Sequence, residues 1–221
     1  MSAKTILNNH GFIHAVLKEF NPELKLSTRL PQNKKPDLHI PKDEEVKKLL
    51  DLVKDTDLEI PVLLAAFGPM RRGEICALKA SDIDNGVAHV SRALVKNNSG
   101  EWVEKLPKTI AGDRYIWFPD EVIQKLPTVG KVTDLNPDQI TQKFGAIIRE
   151  NDLSHFRFHD LRHYCASIMH AMNIPDVYII QRGGWETPEV MKKVYRHALA
   201  SKASEADKKI NSYFSGLLQQ Q

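Results

Sequence analysis

The side chains with the most chemical capacity in this sequence crowd into Phe158-His159-Asp160-Leu161-Arg162-His163-Tyr164. On a helix, spacings of three and four set His159, Arg162 and His163 along one side, with Leu161, Cys165, Ile168 and Met172 forming an apolar stripe opposite. The plain reading is a helix whose cationic side is solvated and whose apolar side is core. A second reading takes His159-Asp160-x-x-His163 as a variant of the zinc-protease helix, two histidines holding the metal and an acid serving as base. Asp160 has too short an arm to reach the water as Glu would, and the charge of Arg162 repels a divalent ion. No metal and no other cofactor is expected.

Other candidates are scattered along the chain. Gly68-Pro69-Met70-Arg71-Arg72-Gly73-Glu74 breaks an apolar helix ahead of the amphipathic Ile75–Leu78 turn, where an arginine either projects into a cleft or pairs with Glu74. Pro107-Lys108-Thr109, followed by Arg114-Tyr115-Ile116, marks a hairpin tip, so Lys108 is either a solvated turn residue or the end of a finger. A glycine pair, Gly183-Gly184, before Trp185 implies close backbone packing. Taken singly, Tyr195 in Tyr195-Arg196-His197 reads as a half-buried packing residue of a further helix.

The order changes that reading. Arg71-x-x-Glu74, a hairpin Lys108, His159-x-x-Arg162-His163, Gly184-Trp185 and Tyr195-x-His197 together resemble the catalytic domain of the tyrosine recombinases, the phage integrase family. The resemblance runs from about Pro41 to the C-terminus. It implies that Arg71 is the first phosphate-binding arginine, Lys108 the hairpin lysine, His159 and Arg162 the His-x-x-Arg pair, and Tyr195 the nucleophile. Trp185 stands at the final phosphate-contact position, where most members carry Leu-Gly-His, and Gly68-Pro69-Met70 stands where they read Thr-Gly-Leu. An indole N–H donates a hydrogen bond but does not shuttle a proton, which argues against an acid–base role for Trp185.

The implied activity is site-specific DNA recombination through a covalent 3′-phosphotyrosyl intermediate, for integration or excision of a phage or other mobile element. Cutting DNA without a metal needs a nucleophile, charge neutralisation at phosphorus and a proton for the leaving 5′ oxygen. A phenol of pKa about 10 is almost wholly protonated at neutral pH and needs cationic surroundings and an acceptor. Planar, permanently charged guanidiniums suit the non-bridging oxygens, His159 suits proton acceptance or a phosphate hydrogen bond, and Lys108 suits the leaving oxygen. His163 is expected to be structural, Glu74 to orient the helix carrying Arg71, and Arg72 and Arg196 to be DNA-backbone contacts. The alternative is a non-catalytic DNA-binding module that retains the fold; competent side chains at every expected position weigh against it.

Positioning these groups requires an α+β fold, mostly helical with a small three-stranded antiparallel sheet. Thr5–Phe20 reads as a lone helix with apolar Ile6, Phe12, Ile13, Val16, Leu17 and Phe20, and the proline-bearing stretch after it reads as a linker. The resemblance implies that residues 1–40 are the end of a core-binding domain plus linker, and 41–221 the catalytic domain. Helices at Asp43 (Val46, Leu49, Leu50, Val53) and after Asp57 precede three strands, Val87–Val95, Glu101–Lys108 and Arg114–Phe118, read as a meander. Asn136-Pro137 and Thr187-Pro188 each place a capping residue before a proline and so start further helices. The last helix, Ser204–Leu218, carries one apolar stripe suited to docking on a neighbouring protomer or in cis.

Composition limits the partners. With 31 basic against 28 acidic residues the chain carries +3, too little to bind nucleic acid by bulk charge, so DNA affinity must be local. Cys76 and Cys165 sit apart in apolar stretches, which excludes a disulfide scaffold. The apolar run Ile60–Met70 is too short to span a bilayer, and the N-terminus lacks the pattern of a secretory signal, so a cytoplasmic location is expected. Expected partners are double-stranded attachment sites, a homotetramer on synapsed DNA and accessory DNA-bending or directionality proteins, with no membrane.

Overall fold

The computed structural model describes residues 1–24, 26–32, 39–107 and 109–187. The expected helices after Thr187-Pro188 and at Ser204–Leu218 lie outside the described residues. Packing divides the chain into two units, Met1–Leu38 and His39–Gln221. In the first, α1 (Ala3–Phe20) starts where the Ser2 hydroxyl accepts the Thr5 N–H at 3.1 Å and ends at Asn21-Pro22. Its apolar Phe12, Ile13 and Phe20 find no core within that unit.

The second unit opens with α2 (Asp43–Val53), whose first turn carries three acids that suit the positive end of the helix. The Glu45 carboxylate accepts the Lys42 N–H at 2.8 Å, and Val46, Leu49 and Val53 enter the core. α3 (Glu59–Phe67) is apolar almost all round and buried accordingly, packed against α7 (Phe158–Ala171) at the centre of the unit. Pro61 falls in its first turn, where a missing N–H leaves no bond unmade. Gly68-Pro69 then stops the helix. A Cβ on Gly68 would lie 2.0 Å from the Phe118 ring, and the break frees α4 (Arg72–Ala77) to start in a new direction.

The sheet differs in detail from the expected meander. Strands β1 (Ile83–Asp84) and β2 (Val87–Val90) join through the left-handed pair Asn85-Gly86, with φ of 46° and 80°, a turn suited to a tight hairpin. The expected first strand is two: β2, and β3 (Ala93–Lys96) beyond Ser91-Arg92. Among the described residues, strand β3 pairs only with β4 (Trp102–Lys105), while β2 pairs with β5 (Arg114–Trp117), giving a three-stranded antiparallel sheet in the order β1-β2-β5 and a separate hairpin. The division falls at Arg92, whose guanidinium turns to Asp82 and Glu104, while Ala88 and Val90 of β2 face the core.

Short α5 (Asp120–Ile123), then α6 (Pro137–Glu150), α7 and α8 (Asp176–Gly183) complete the described unit. Asn136 caps α6, its side-chain oxygen accepting the N–H groups of Asp138 and Gln139 at 3.0 and 2.9 Å. Ile140, Phe144 and Ile148 of α6 join Phe156 and Phe158 in the core, Phe144 meeting both rings edge on. The class is α+β with helices predominant. Among the described residues no helix is long and apolar enough to cross a membrane.

Candidate active site

Helix α7 begins with a carboxylate device. Asp160, in its first turn, accepts the Arg157 N–H at 2.7 Å and pairs with the Arg157 guanidinium at 2.8 Å. Asp160 therefore caps the helix and is not free to act as a base beside His159. One turn on, Arg162 is 1% exposed, against the expectation of a solvated cationic side. Packing of α7 on α3 turns that side inward. Its Nη1 donates to the Pro69 carbonyl, which the break after α3 leaves without a helical partner, while its Nη2 has no hydrogen-bond partner among the described residues. Burial, and after it the charge of Arg71, pushes Arg162 well below the usual guanidinium range. Neutral arginine is far from accessible in proteins, so this direction registers an electrostatic load that a bound anion would relieve.

The second arginine starts α4. Arg71 Nη1 lies 2.6 Å from Glu74 Oε1, its backbone N–H lies 2.8 Å from Glu74 Oε2, and its Nη2 donates to the Gly184 carbonyl at 2.9 Å. Cleft projection and pairing with Glu74 thus both occur. Glu74 also takes a residue that the sequence reading left without a role: Arg114 on β5, 4% exposed, donates through Nη2 and Nη1 to the same carboxylate at 2.8 and 3.3 Å. Arg114 Nε reaches the Arg182 carbonyl at 2.9 Å and Nη1 the Gly112 carbonyl at 3.2 Å. Burial alone would raise the Glu74 carboxyl; Arg114, then Arg71, hold it below the usual carboxylate range. On β5, Arg114 shares a face with the buried Ile116.

Gly183-Gly184-Trp185 closes the arrangement as its composition suggested. Gly184 ends α8 with φ of 63°, and a Cβ on Gly183 would lie 1.7 Å from the Trp185 ring. The indole is buried, and Arg162 Cζ stands 4.0 Å from its ring centroid, in cation–π contact. Arg71, Glu74, Gly184 and Trp185 line a cavity of about 560 Å³ whose other wall includes Arg92, Lys96, Lys105, Pro107 and Thr109 of the β3–β4 hairpin and the segment after it.

Two imidazoles flank Arg162. The rings of His159 and His163 meet edge to face at 4.8 Å, and among the described residues no group of three His, Cys, Asp or Glu is placed to hold a metal ion. His159 lies toward solvent; partial withdrawal from water, then the cations of Arg162 and Arg71, push it below the ordinary imidazole range. His163 is buried, as expected of a structural residue, but among the described residues its Nδ1 has no hydrogen-bond partner, and burial followed by His159 pushes it down to about 4. Both rings are neutral at pH 7. Arg72 is engaged with the start of α6, donating to the Pro137 carbonyl at 3.2 Å and to Thr141.

Of the predicted site, the structure brings together Arg71, Arg162 and Trp185, with His159 one helical turn from Arg162. Lys108 and Tyr195 lie outside the described residues. Among the three guanidiniums and one carboxylate of this cluster, two positive charges are uncompensated, an arrangement that favours an anion with several oxygens.

Comparison with known proteins speaks to the family and the fold. The integrase of Salmonella phage P22 is 27% identical over 92% of this chain and 56% of its own length. A XerC-like tyrosine recombinase of Caldanaerobacter subterraneus subsp. tengcongensis is 21% identical over 78% of this chain and 54% of its own. The chain thus spans about half the length of the curated relatives it matches. Among solved structures, the Tn1549 transposon integrase in complex with transposon right end DNA superposes with a TM-score of 0.75 at 15% identity, covering 96% of this chain and 80% of that one. XerA recombinase gives a TM-score of 0.59 at 16% identity, over 80% and 66%. At such identities the structural likeness speaks to the fold. The phage integrase family profile matches residues 42–202, most of the chain, and with it the fold and the ordered motifs lead to one conclusion: this chain belongs to the phage integrase family.

Proposed function

We propose that this chain is the catalytic part of a site-specific tyrosine recombinase that cleaves and rejoins duplex DNA for integration or excision of a mobile element. The observation that carries the reading is Arg162, a buried guanidinium that among the described residues has no carboxylate partner and an unused Nη2, set beside Arg71 and under Trp185. A buried cation left unpaired is costly unless a ligand completes it, and a phosphodiester brings the oxygens that guanidiniums match. Arg71 and Arg162 bind the non-bridging oxygens and hold the charge that grows as phosphorus becomes five-coordinate.

In the proposed step the Tyr195 oxygen attacks phosphorus, the bond from phosphorus to the 5′ oxygen breaks, and a 3′-phosphotyrosyl link forms. The phenol proton passes to His159, which is neutral and able to accept it. The depressed basicity of that imidazole rises once phosphate offsets the Arg162 and Arg71 charges. Lys108, whose chain neighbours Pro107 and Thr109 line the cavity, protonates the leaving 5′ oxygen. Attack by another 5′ hydroxyl reverses the sequence on a different strand and releases Tyr195, with no nucleotide hydrolysis. Residues 1–40 form the end of a core-binding domain and linker, 41–221 the catalytic domain, and Ser204–Leu218 docks on a neighbouring protomer in a tetramer on synapsed DNA. The protein works in the cytoplasm with accessory bending or directionality proteins.

The test is a duplex carrying the attachment site with a nick just beyond the scissile phosphate, so that the short leaving strand diffuses away. The parent protein is expected to form a denaturation-resistant adduct with the DNA, and Tyr195→Phe to bind the duplex without forming it. Binding by both proteins with no adduct from either would leave a DNA-binding module without catalysis.

A further inference from the structure

We propose that Arg114 is a positioning residue of the anion site: without touching the ligand, it fixes Arg71 and the Gly184-Trp185 turn to one another through Glu74 and the Arg182 carbonyl. The inference rests on the reading of Arg71 and Arg162 as an anion site, and goes beyond it by assigning work to a residue outside the family motif.

Three elements meet at this guanidinium. Toward α4, Nη2 and Nη1 lie 2.8 and 3.3 Å from the two oxygens of Glu74. Toward α8, Nε lies 2.9 Å from the Arg182 carbonyl, directly before the glycine pair. Toward the turn Ile110–Gly112, Nη1 lies 3.2 Å from the Gly112 carbonyl. Each Glu74 oxygen then serves both arginines, since Arg71 Nη1 and the Arg71 N–H take the same two atoms at 2.6 and 2.8 Å. Close packing forbids slack here, because a Cβ on Gly184 would lie 2.7 Å from the Ala111 carbonyl and 3.0 Å from Arg114 Nη1.

The consequence follows from charge. With Arg114 in place, Glu74 is shared, and Arg71 keeps Nη2 on the Gly184 carbonyl with an exposed edge toward the cavity. Remove Arg114, and among the described residues Arg71 is the one guanidinium still hydrogen-bonded to the buried carboxylate, so Arg71 is drawn onto Glu74 and away from an incoming anion. A planar fork is required, since an ammonium cannot bridge Glu74 and the Arg182 carbonyl in two directions at once.

Inorganic tungstate, a tetrahedral dianion, tests this on the whole protein by calorimetric titration, independently of DNA cleavage. Arg114→Met is expected to weaken tungstate about tenfold, Arg71→Ala by at least as much, and the double variant no more than Arg71→Ala alone, because Arg114 acts through Arg71. Arg114→Lys should recover less than half of the loss in logarithmic terms and serves in place of Arg114→Met if that variant does not fold. Additive losses, unchanged affinity in a folded Arg114 variant, or no tungstate binding by the parent would each overturn the proposal. Adduct formation on the nicked duplex separately decides the recombinase reading.

Discussion

Arg114 on β5 and Arg162 on α7 are both withdrawn from water, yet they differ in what surrounds them. Arg114 has a carboxylate, two backbone carbonyls and a hydrogen bond for every nitrogen of its head group. Arg162 has one carbonyl, one indole face and, among the described residues, a nitrogen with no partner. The first is a completed knot that ties strands to helices. The second, in the proposed function, is half of an interaction that a phosphate completes. Removing one partner of a buried ion pair leaves an orphaned charge, whereas removing a charge that never had a partner relieves one.

That contrast yields opposite expectations for the same chemical change. Arg162→Met should lower single-turnover strand cleavage on a nicked attachment-site duplex by about 10³-fold, as loss of a donor aimed at developing charge does. Its melting temperature should hold or rise. Arg114→Met should instead destabilise the fold by about 3–5 kcal/mol, a fall of about 10 °C in a domain of this size, because Glu74 is left buried with an incomplete set of donors. Equal losses of melting temperature in the two variants would erase the distinction between knot and open site.

Much of this cluster was legible in the sequence, and the illegible part has a physical reason. Spacing alone put His159, Arg162 and His163 on one helix side, and Gly183-Gly184 before Trp185 announced the tight turn that the ring now covers. What spacing does not carry is which side of α7 meets α3, so Arg162 read as solvated although it is buried. Arg114 was hidden twice over. Its partner Glu74 lies forty positions away, and a four-residue strand gives too short an alternation to fix which face is inward. The sheets divide at Arg92, whose pairing with Asp82 and Glu104 is likewise a tertiary fact. Asn85-Gly86, by contrast, was a readable hairpin signal that went unused.

The histidines beside Arg162 sharpen the comparison through pH. His163 falls from an ordinary value of 6.5 to about 4 in the folded protein, so its neutral ring contributes stability that is present above pH 6.5 and is lost as pH drops toward 4. Between pH 7 and 4.5 that loss amounts to about 2 kcal/mol, measurable by urea unfolding at the two values. His163→Phe, which has nothing to protonate, should show a correspondingly shallower acid loss. The Arg114 knot behaves differently, since Glu74 is held below the usual carboxylate value of 4.5 and its stabilisation, intact above that value, is lost only as pH falls below it. Parallel acid profiles for parent and His163→Phe would mean that the seam around Arg162 is not what titrates.

Trp185 gives the smallest and most discriminating effect. Its ring face lies on Arg162 at 4.0 Å, a contact worth about 1–2 kcal/mol when water is excluded. Phenylalanine keeps a π face and an apolar cover over the guanidinium but has no N–H to give to phosphate; alanine keeps neither. If the indole serves chiefly to hold Arg162 in place, Trp185→Phe should cost cleavage no more than about tenfold and Trp185→Ala about a hundredfold, with the greater part of the alanine loss disappearing in an Arg162→Met background. Equal losses for the two substitutions would assign the residue to direct donation instead, because the only feature they share is the missing N–H.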